Sequence, residues 1–276
     1  MRLSSIQRVL HPRKLFEADG VSIHDVRCRH TAGRGEAEPH GGSHALVLVR
    51  RGCFVRSADG RDHVLDPTLA YGLVPDQVHR YDHPHGGGDD CTAISFGPDL
   101  LASVWGGEPG LPAGAIATSP EVDLQHRRML ALARRAHDPH DVFERALTLT
   151  ADLLGGADEP RVASGRPATV RLHRRIVQEV REALVARPGT SLPELARELA
   201  VSPHHLSRVF RAETGETIAR HRMRLRVRRT LERLAGGERD LARLARQAGF
   251  VDQSYMCRVL RAETGETPSA LRALLA

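Results

Sequence analysis

Arg211-Ala212-Glu213-Thr214-Gly215-Glu216-Thr217 recurs, residue for residue, as Arg261-Ala262-Glu263-Thr264-Gly265-Glu266-Thr267. The likeness continues upstream of both copies. Leu195-Ala196-Arg197 matches Leu244-Ala245-Arg246, and each is followed by a small residue (Ala200, Gly249) and then an apolar one (Val201, Phe250). A helix-capping residue, Ser202 or Asp252, opens the next segment. That segment reads His205-Leu206-Ser207-Arg208-Val209-Phe210 or Tyr255-Met256-Cys257-Arg258-Val259-Leu260, the second copy having one extra residue in its turn. Two copies are too few for a solenoid, which needs stacked neighbours to complete its core. The pattern is a tandem duplication of one small module.

Each module has the features of a helix-turn-helix, over 192–217 and 241–267. Leu192, Leu195, Ala196 and Leu199 fall at helical spacing, as do Leu241, Leu244, Ala245 and Ala248. Ala196 and Ala245 are small enough for two helices to cross closely. Ala200 and Gly249 suit a tight turn, and Gly249 takes positive φ without strain. Ser202 and Asp252 accept backbone N–H bonds at the start of the second helix, and Pro203 fits its first position. The spacing buries Leu206, Val209 and Phe210, or Met256, Val259 and Leu260. Thr214-Gly215 and Thr264-Gly265 read as structural helix ends. The opposite face presents Ser202, Pro203, His204, Ser207, Arg208 and Arg211 in one copy, and Gln253, Ser254, Cys257, Arg258 and Arg261 in the other. An exposed polar face at the start of a second helix is where this motif meets the major groove. Arg208 and Arg258 are equivalent, and arginine can bond both acceptors of guanine. Ser202 and the amides near it suit a phosphate. Tyr255 reads as a packing residue.

These residues resemble the AraC/XylS family of bacterial transcription regulators, over Thr169–Ala276. The matching residues are Leu192, Leu195-Ala196, Ser202-Pro203, Leu206-Ser207-Arg208 and Phe210, then Ala245, Ala248-Gly249-Phe250, Asp252-Gln253-Ser254-Tyr255 and Thr264-Gly265-x-Thr267-Pro268. Tyr255-Met256 stands where many relatives have His-Phe, and Leu260 where they have Phe. The resemblance implies a cytoplasmic, nucleoid-associated homodimer that binds double-stranded promoter DNA, contacts RNA polymerase as an activator and answers to a small-molecule effector.

Charge agrees with that reading. Thr169–Ala276 contains 21 arginines against 12 acidic residues, whereas Met1–Ala168 is slightly acidic, and Lys14 is the only lysine. A basic excess confined to the duplicated part is the footprint of nucleic-acid binding. Ile218–Ala235 must join the modules as one helix, with Met223, Val227, Leu231 and Leu234 inward and Arg220, Arg222, Arg224, Arg226, Arg228 and Arg229 outward. A rigid joining helix would set the two recognition helices ~34 Å apart, one turn of B-DNA. Val170–Arg187 is a further amphipathic helix. The sequence contains no run of eighteen apolar residues, and Met1–Gly20 has no apolar stretch before a cleavage site. Cys28, Cys53, Cys91 and Cys257 have no disulfide-like spacing, which suits reduced thiols and a cytosolic setting.

The N-terminal half has a β texture. Ser4–Ala18 reads as a short helix or an arm. Val21–Val26 alternates strictly, His44–Val49 is an apolar run, and Asp59-Gly60 between Cys53–Ser57 and His63–Leu65 is a hairpin signal. Tyr71–Val74, His79–Tyr81 and Cys91–Phe96 read as further short strands, as in a small sandwich or barrel. Pro75…His79 and the lone His44 resemble, weakly, the motifs of a cupin-like sensor domain, without the second histidine and the glutamate of a catalytic metal site. From Ser119-Pro120 the pattern is helical, with Met129, Leu132, Ala133 and Ala136 on one face and Val142, Ala146, Leu149 and Leu153 on the next. These helices are either a coupling and dimerisation element or packing for their own β-domain. Gly155–Pro167 is a linker by composition.

The expected architecture is α+β: a cupin-like small β-barrel over 1–118, a helical coupling segment over 119–156, a linker over 157–168 and an all-α DNA-binding domain over 169–276. A pocket in the β-domain is the default site for an effector, with His44, Arg51 and His79 as its polar lining. Cys28, His44, His79, His83, His85 and Cys91 offer soft ligands, but no pair has ligand spacing, so the sequence assigns no metal, no cofactor and no catalytic residue. The competing class is a metal-dependent cupin enzyme fused to DNA-binding helices. A third reading is a basic architectural protein without sequence preference.

Overall fold

The structure is a computed structural model that describes residues 10–29, 32–83, 86–105, 111, 114–135, 138–155 and 167–275. The chain forms two compact units, Met1–Asp158 together with Ser269–Ala276, and Glu159–Pro268. Much of the linker reading, and His85 and Ala136, lie outside the described residues.

In chain order the first unit has strands β1 (Leu10–Ala18), β2 (Val21–Cys28), β3 (Gly33–Arg34), β4 (Glu38–Pro39), β5 (Ala45–Arg51), β6 (Phe54–Ala58), β7 (Arg61–Leu65), β8 (Leu69–Leu73), β9 (Val78–His83) and β10 (Asp89–Phe96). Helix α1 (Pro98–Trp105), strand β11 (Ala115–Ala117) and helices α2 (Pro120–Arg134) and α3 (Pro139–Gly155) follow. One antiparallel sheet runs β1-β2-β10-β5-β8-β11. The other runs β3-β9-β6-β7, with β4 also on β9.

Two of the hairpins rest on the same dipeptide. Asp59 and Gly60 take φ of 51° and 71°, and Asp19 and Gly20 take 49° and 80°. Consecutive positive φ values in a two-residue loop match the twist of the flanking strands. Asp19-Gly20 therefore turns β1 back onto β2, from Ala18 opposite Val21 to Leu10 opposite Cys28. This corrects the reading of Ser4–Ala18 as a helix or an arm, at least from Leu10 onward.

The apolar run at β5 explains the layering. Leu46 and Leu48 face a core with Val21, Ile23, Ile94 and Phe96, where Met129, Ala133, Val142, Ala146, Leu149 and Leu153 of α2 and α3 pack. Val47 and Val49 face the other way, into a second core with Phe54 and Leu65 of the opposite sheet and Tyr71 of β8. A strand buried on both faces loses the usual alternation. The helices read from the sequence over Ser119–Leu154 pack on their own sheet.

The helix-side core contains a polar cluster. Arg50 and Asp25 form an ion pair, both side chains only 4 % exposed. Arg50 also donates to the Cys91 carbonyl at 3.2 Å. His126 on α2 bonds Thr92 Oγ1 at 2.8 Å. Burial first, and the charge of Arg127 second, push its imidazole well below the usual range.

The second unit contains α4 (Pro167–Ala186), α5 (Leu192–Glu198), α6 (Pro203–Thr214), α7 (Ile218–Ala235), α8 (Leu241–Ala248) and α9 (Gln253–Thr264); α10 (Pro268–Leu275) follows. Ile176, Val177, Val180 and Leu184 of α4 join Leu195, Ala196, Leu206, Val209 and Phe210 in one core. The joining helix α7 touches α4 and α6 as well as α8 and α9, so its buried stripe is wide. His221, Leu225 and Arg228 are buried with Val227, Leu231 and Leu234, while Met223 is only half-buried. Arg228, 1 % exposed, is therefore not an outer residue as the spacing suggested.

Removing one partner of a buried ion pair leaves an uncompensated charge. We expect Asp25→Ala to destabilise the first unit by ~3–5 kcal/mol, measured by denaturant unfolding. A loss below about 1 kcal/mol would show that Arg50 is satisfied without it.

Candidate functional site

Helices α6 and α9 are built alike. Ser202 Oγ accepts the His205 amide at 3.2 Å, and Asp252 Oδ1 accepts the Tyr255 amide at 2.7 Å. Both helices end on a glycine in the left-handed region, Gly215 at φ 80° and Gly265 at φ 74°. The turn before α6 puts Ala200 at φ 53°, where the equivalent turn before α9 has Gly249 at φ 85°. Apolar faces lock each helix from behind, through Leu206, Val209 and Phe210 in one and Met256 and Leu260 in the other. Val259 is only half-buried.

The face left outward carries all the residues singled out by sequence. Ser202, Pro203, His204, Arg208 and Arg211 are exposed and Ser207 is half-buried. Gln253, Ser254, Arg258 and Arg261 are exposed and Cys257 is half-buried. In the first module His204, Ser207, Arg208 and Arg211 border a groove of about 320 Å³ with Thr217 and Arg222. Arg208 Nη2 lies 3.3 Å from His205 Nδ1, and the Arg258 guanidinium lies 6.0 Å from the Tyr255 ring. Among the described residues none of Arg208, Arg211, Arg258 and Arg261 is in an ion pair, so four guanidinium groups meet solvent uncompensated. Tyr255 stacks edge-on against Phe250 at 6.0 Å, which is the packing role expected of it.

The arginines of α7 are placed differently. Arg226 Nε donates to the Pro188 carbonyl at 3.0 Å, and its guanidinium lies 5.8 Å from the Phe250 ring. Arg222 donates to the Thr190 carbonyl at 2.8 Å. Arg220 pairs with Glu263 of α9, and Arg224 with Glu216 at 2.8 Å. These groups hold helices and turns together. Glu216 also accepts from His221 Nδ1 at 2.9 Å. Burial alone would raise the Glu216 carboxyl. The hydrogen bond from His221 and the charge of Arg224 outweigh it and hold the pKa at about 2.

In the first unit a cavity of about 400 Å³ opens between the sheets, walled by Val47, Tyr71 and Ala93 of one and Phe54, Tyr81 and His83 of the other. Of the expected polar lining, His79 is there. Burial, then the charge of Arg56, lowers its pKa to about 4, so it is neutral at pH 7. His44 and Arg51 are not among the described lining residues. Arg51 is instead paired with Asp90 at 2.7 Å on the surface. The cavity also brings together Cys28, His83 and Asp89, whose ligand atoms lie within 4.8 Å of one another. Sequence reasoning named the cysteine and the histidine but missed Asp89, whose only signal is its register opposite Cys28 on neighbouring strands.

Residues 195–273 match the family model described as a helix-turn-helix domain. No curated protein matches the chain. Among solved structures, ToxT from Vibrio cholerae O395 is similar at 11% identity and a TM-score of 0.37, over 93% of this chain and 98% of that one. The DNA-binding domain of AdpA, a global transcriptional factor solved with a target DNA, is similar at 23% identity and a TM-score of 0.34, over 36% of this chain and 89% of that one. A protein from Listeria innocua is similar at 25% identity and a TM-score of 0.32, over 40% and 100%.

Two outcomes follow from this geometry. Arg226→Ala should destabilise the second unit by about 2 kcal/mol, the scale of a hydrogen bond from a charged group, while Arg208→Ala should stay within about 0.5 kcal/mol. Chemical unfolding of both variants checks the contrast. The depressed Glu216 pKa contributes stability that is complete above the unfolded value of 4.5 and is lost as pH falls toward about 2. An acid titration followed by circular dichroism should show that dependence, and Glu216→Gln should flatten it.

Proposed function

We propose that the chain is a DNA-binding transcription regulator of the AraC type, its C-terminal domain a tandem helix-turn-helix, and that Arg208 and Arg258 read base edges in two successive major grooves of promoter DNA. The observation that carries this is the equivalence of the two arginines: same place on duplicated helices, exposed, and without a carboxylate partner. His204, Ser207, Gln253, Ser254 and Cys257 flank them on the same faces. Arg211 and Arg261, one turn further along, suit phosphates. The Ser202 hydroxyl accepts the cap bond and still has a proton to donate to a phosphate oxygen.

The first unit is, in this reading, the effector-binding half. Its support is the cavity between the sheets, apolar in most of its wall with His79 as a neutral polar group, which is the usual make-up of a small-molecule site. A cytoplasmic homodimer that contacts RNA polymerase and catalyses no reaction completes the proposal. No described helix is long and apolar enough to cross a membrane.

The test uses the full chain on a promoter it binds and on all single-base variants of that site. Arg208→Ala and Arg258→Ala should each cost ~1–3 kcal/mol and relax the preference at one base pair. Arg211→Ala should weaken all variants about equally and reduce the slope of log affinity against log salt by about 1. A uniform loss for both Arg208→Ala and Arg258→Ala would reassign them to the phosphates.

A further inference from the structure

We propose that Cys28, His83 and Asp89, joined by Cys91, form a binding site for one zinc ion at the wall of the N-terminal cavity. His83 Nε2 lies 2.7 Å from Asp89 Oδ1, and Cys91 Sγ lies 3.1 Å from Asp89 Oδ2. Cys28, His83 and Asp89 each present a ligand atom, and those atoms lie within 4.8 Å of one another. All four residues are buried. Zinc bonds of 2.0–2.3 Å in a tetrahedron separate the ligand atoms by about 3.3–3.8 Å, so small side-chain adjustments suffice for Cys28, His83 and Asp89, while Cys91, outside that cluster, must turn its sulfur inward from its contact with Asp89.

The strand register explains why they meet. Cys28 stands opposite Asp89, and Val26 opposite Cys91, on the antiparallel pair β2 and β10. Residues two apart on a strand share a face, so Cys28, Asp89 and Cys91 all project into the cavity, and His83 at the end of β9 reaches them from the other sheet. Burying this many polar groups in a largely apolar wall is costly unless something binds them together. A His83–Asp89 ion pair offsets part of that cost but leaves the role of two buried cysteines unexplained.

The donor set selects the metal. Two sulfurs exclude calcium and magnesium, which take oxygen ligands. A carboxylate and an imidazole beside two thiolates suit zinc better than copper(I), which favours softer surroundings. Binding exchanges protons for the ion. Each cysteine gives up its S–H proton and His83 binds through a neutral nitrogen, so uptake releases protons to solvent. The site needs only the geometry of this unit, whether or not the cavity takes an effector.

The experiment strips the reduced full chain with chelator and titrates it with cobalt(II), then displaces the cobalt with zinc. We expect one cobalt per chain with sulfur-to-cobalt charge-transfer absorption, lost on adding one equivalent of zinc. Cys28→Ser should lower the thiolate absorption, leaving that of Cys91, and weaken binding by at least the roughly 10–100-fold that loss of an outer partner causes. Cys257→Ser, on α9, should bind as wild type. Should Cys28→Ser not fold, alkylation of the wild-type chain at a denaturant concentration that lets the buried thiols label slowly decides: zinc must slow the labelling of Cys28 and Cys91 and leave that of Cys257 unchanged. A wild-type chain that shows no thiolate–cobalt absorption at one equivalent overturns the site and leaves a plain buried ion pair. So does zinc that leaves Cys28 as reactive as before.

Discussion

Arg226 ties the two helix-turn-helix modules into one piece. Its Nε–H meets the carbonyl of Pro188, in the turn between α4 and α5, and its guanidinium lies over Phe250, in the turn between α8 and α9. Those two turns approach closely. A Cβ on Gly249 would stand 3.1 Å from both Gly189 N and Pro188 C, and 3.3 Å from Arg226 Nε. Gly249 is thus required twice, by its φ of 85° and by the backbone beside it. The orientation of α9 relative to α6 depends on this contact and on the Arg220–Glu263 pair at the other end of α9. A duplicated module has no intrinsic spacing. The arginines of the joining helix supply it.

The local chemistry of the C-terminal half was legible because it is local. Caps, C-terminal glycines and the outward faces of α6 and α9 follow from residues within a few positions of one another, and the repeat shows each of them twice. Arg228 was misread for the opposite reason. Its burial comes from helices on both flanks of α7, and no window of sequence around Arg228 contains them. The N-terminal half gives the same lesson. Asp59-Gly60 reads as a hairpin because a strand-like stretch stands on each side of the dipeptide, whereas Asp19-Gly20 has one only after it: the strand before it is an edge strand whose residues are mostly exposed, so its pattern is weak.

The cavity wall was the least legible part. Strand pairing brings Asp89 beside Cys28 across sixty residues, and sheet-on-sheet packing adds His83. Neither step has a spacing signature. The same wall holds two histidines in different surroundings. Burial and the charge of Arg56 lower His79 to about 4, while His83, in spite of its burial, is raised to about 9 by hydrogen bonds to Asp89 and Cys28 as long as no metal takes its nitrogen. A neutral imidazole at one place and the Cys28–His83–Asp89 cluster at another therefore face one apolar space, which gives the cavity two chemically distinct ends.

The excess of 21 arginines over 12 acidic residues in Thr169–Ala276 divides by location. Arg220, Arg222, Arg224 and Arg226 bond carboxylates or backbone carbonyls within the unit. Arg228 is buried. The guanidinium groups on the outward faces of α6 and α9 have no acidic partner, so they keep their full charge for an anion. Net charge therefore overstates the number of phosphates such a domain can neutralise, since only a charge that exchanges condensed counterions on binding contributes to the salt dependence. The remainder shapes the long-range field around the domain, and holds α6 and α9 at a fixed separation.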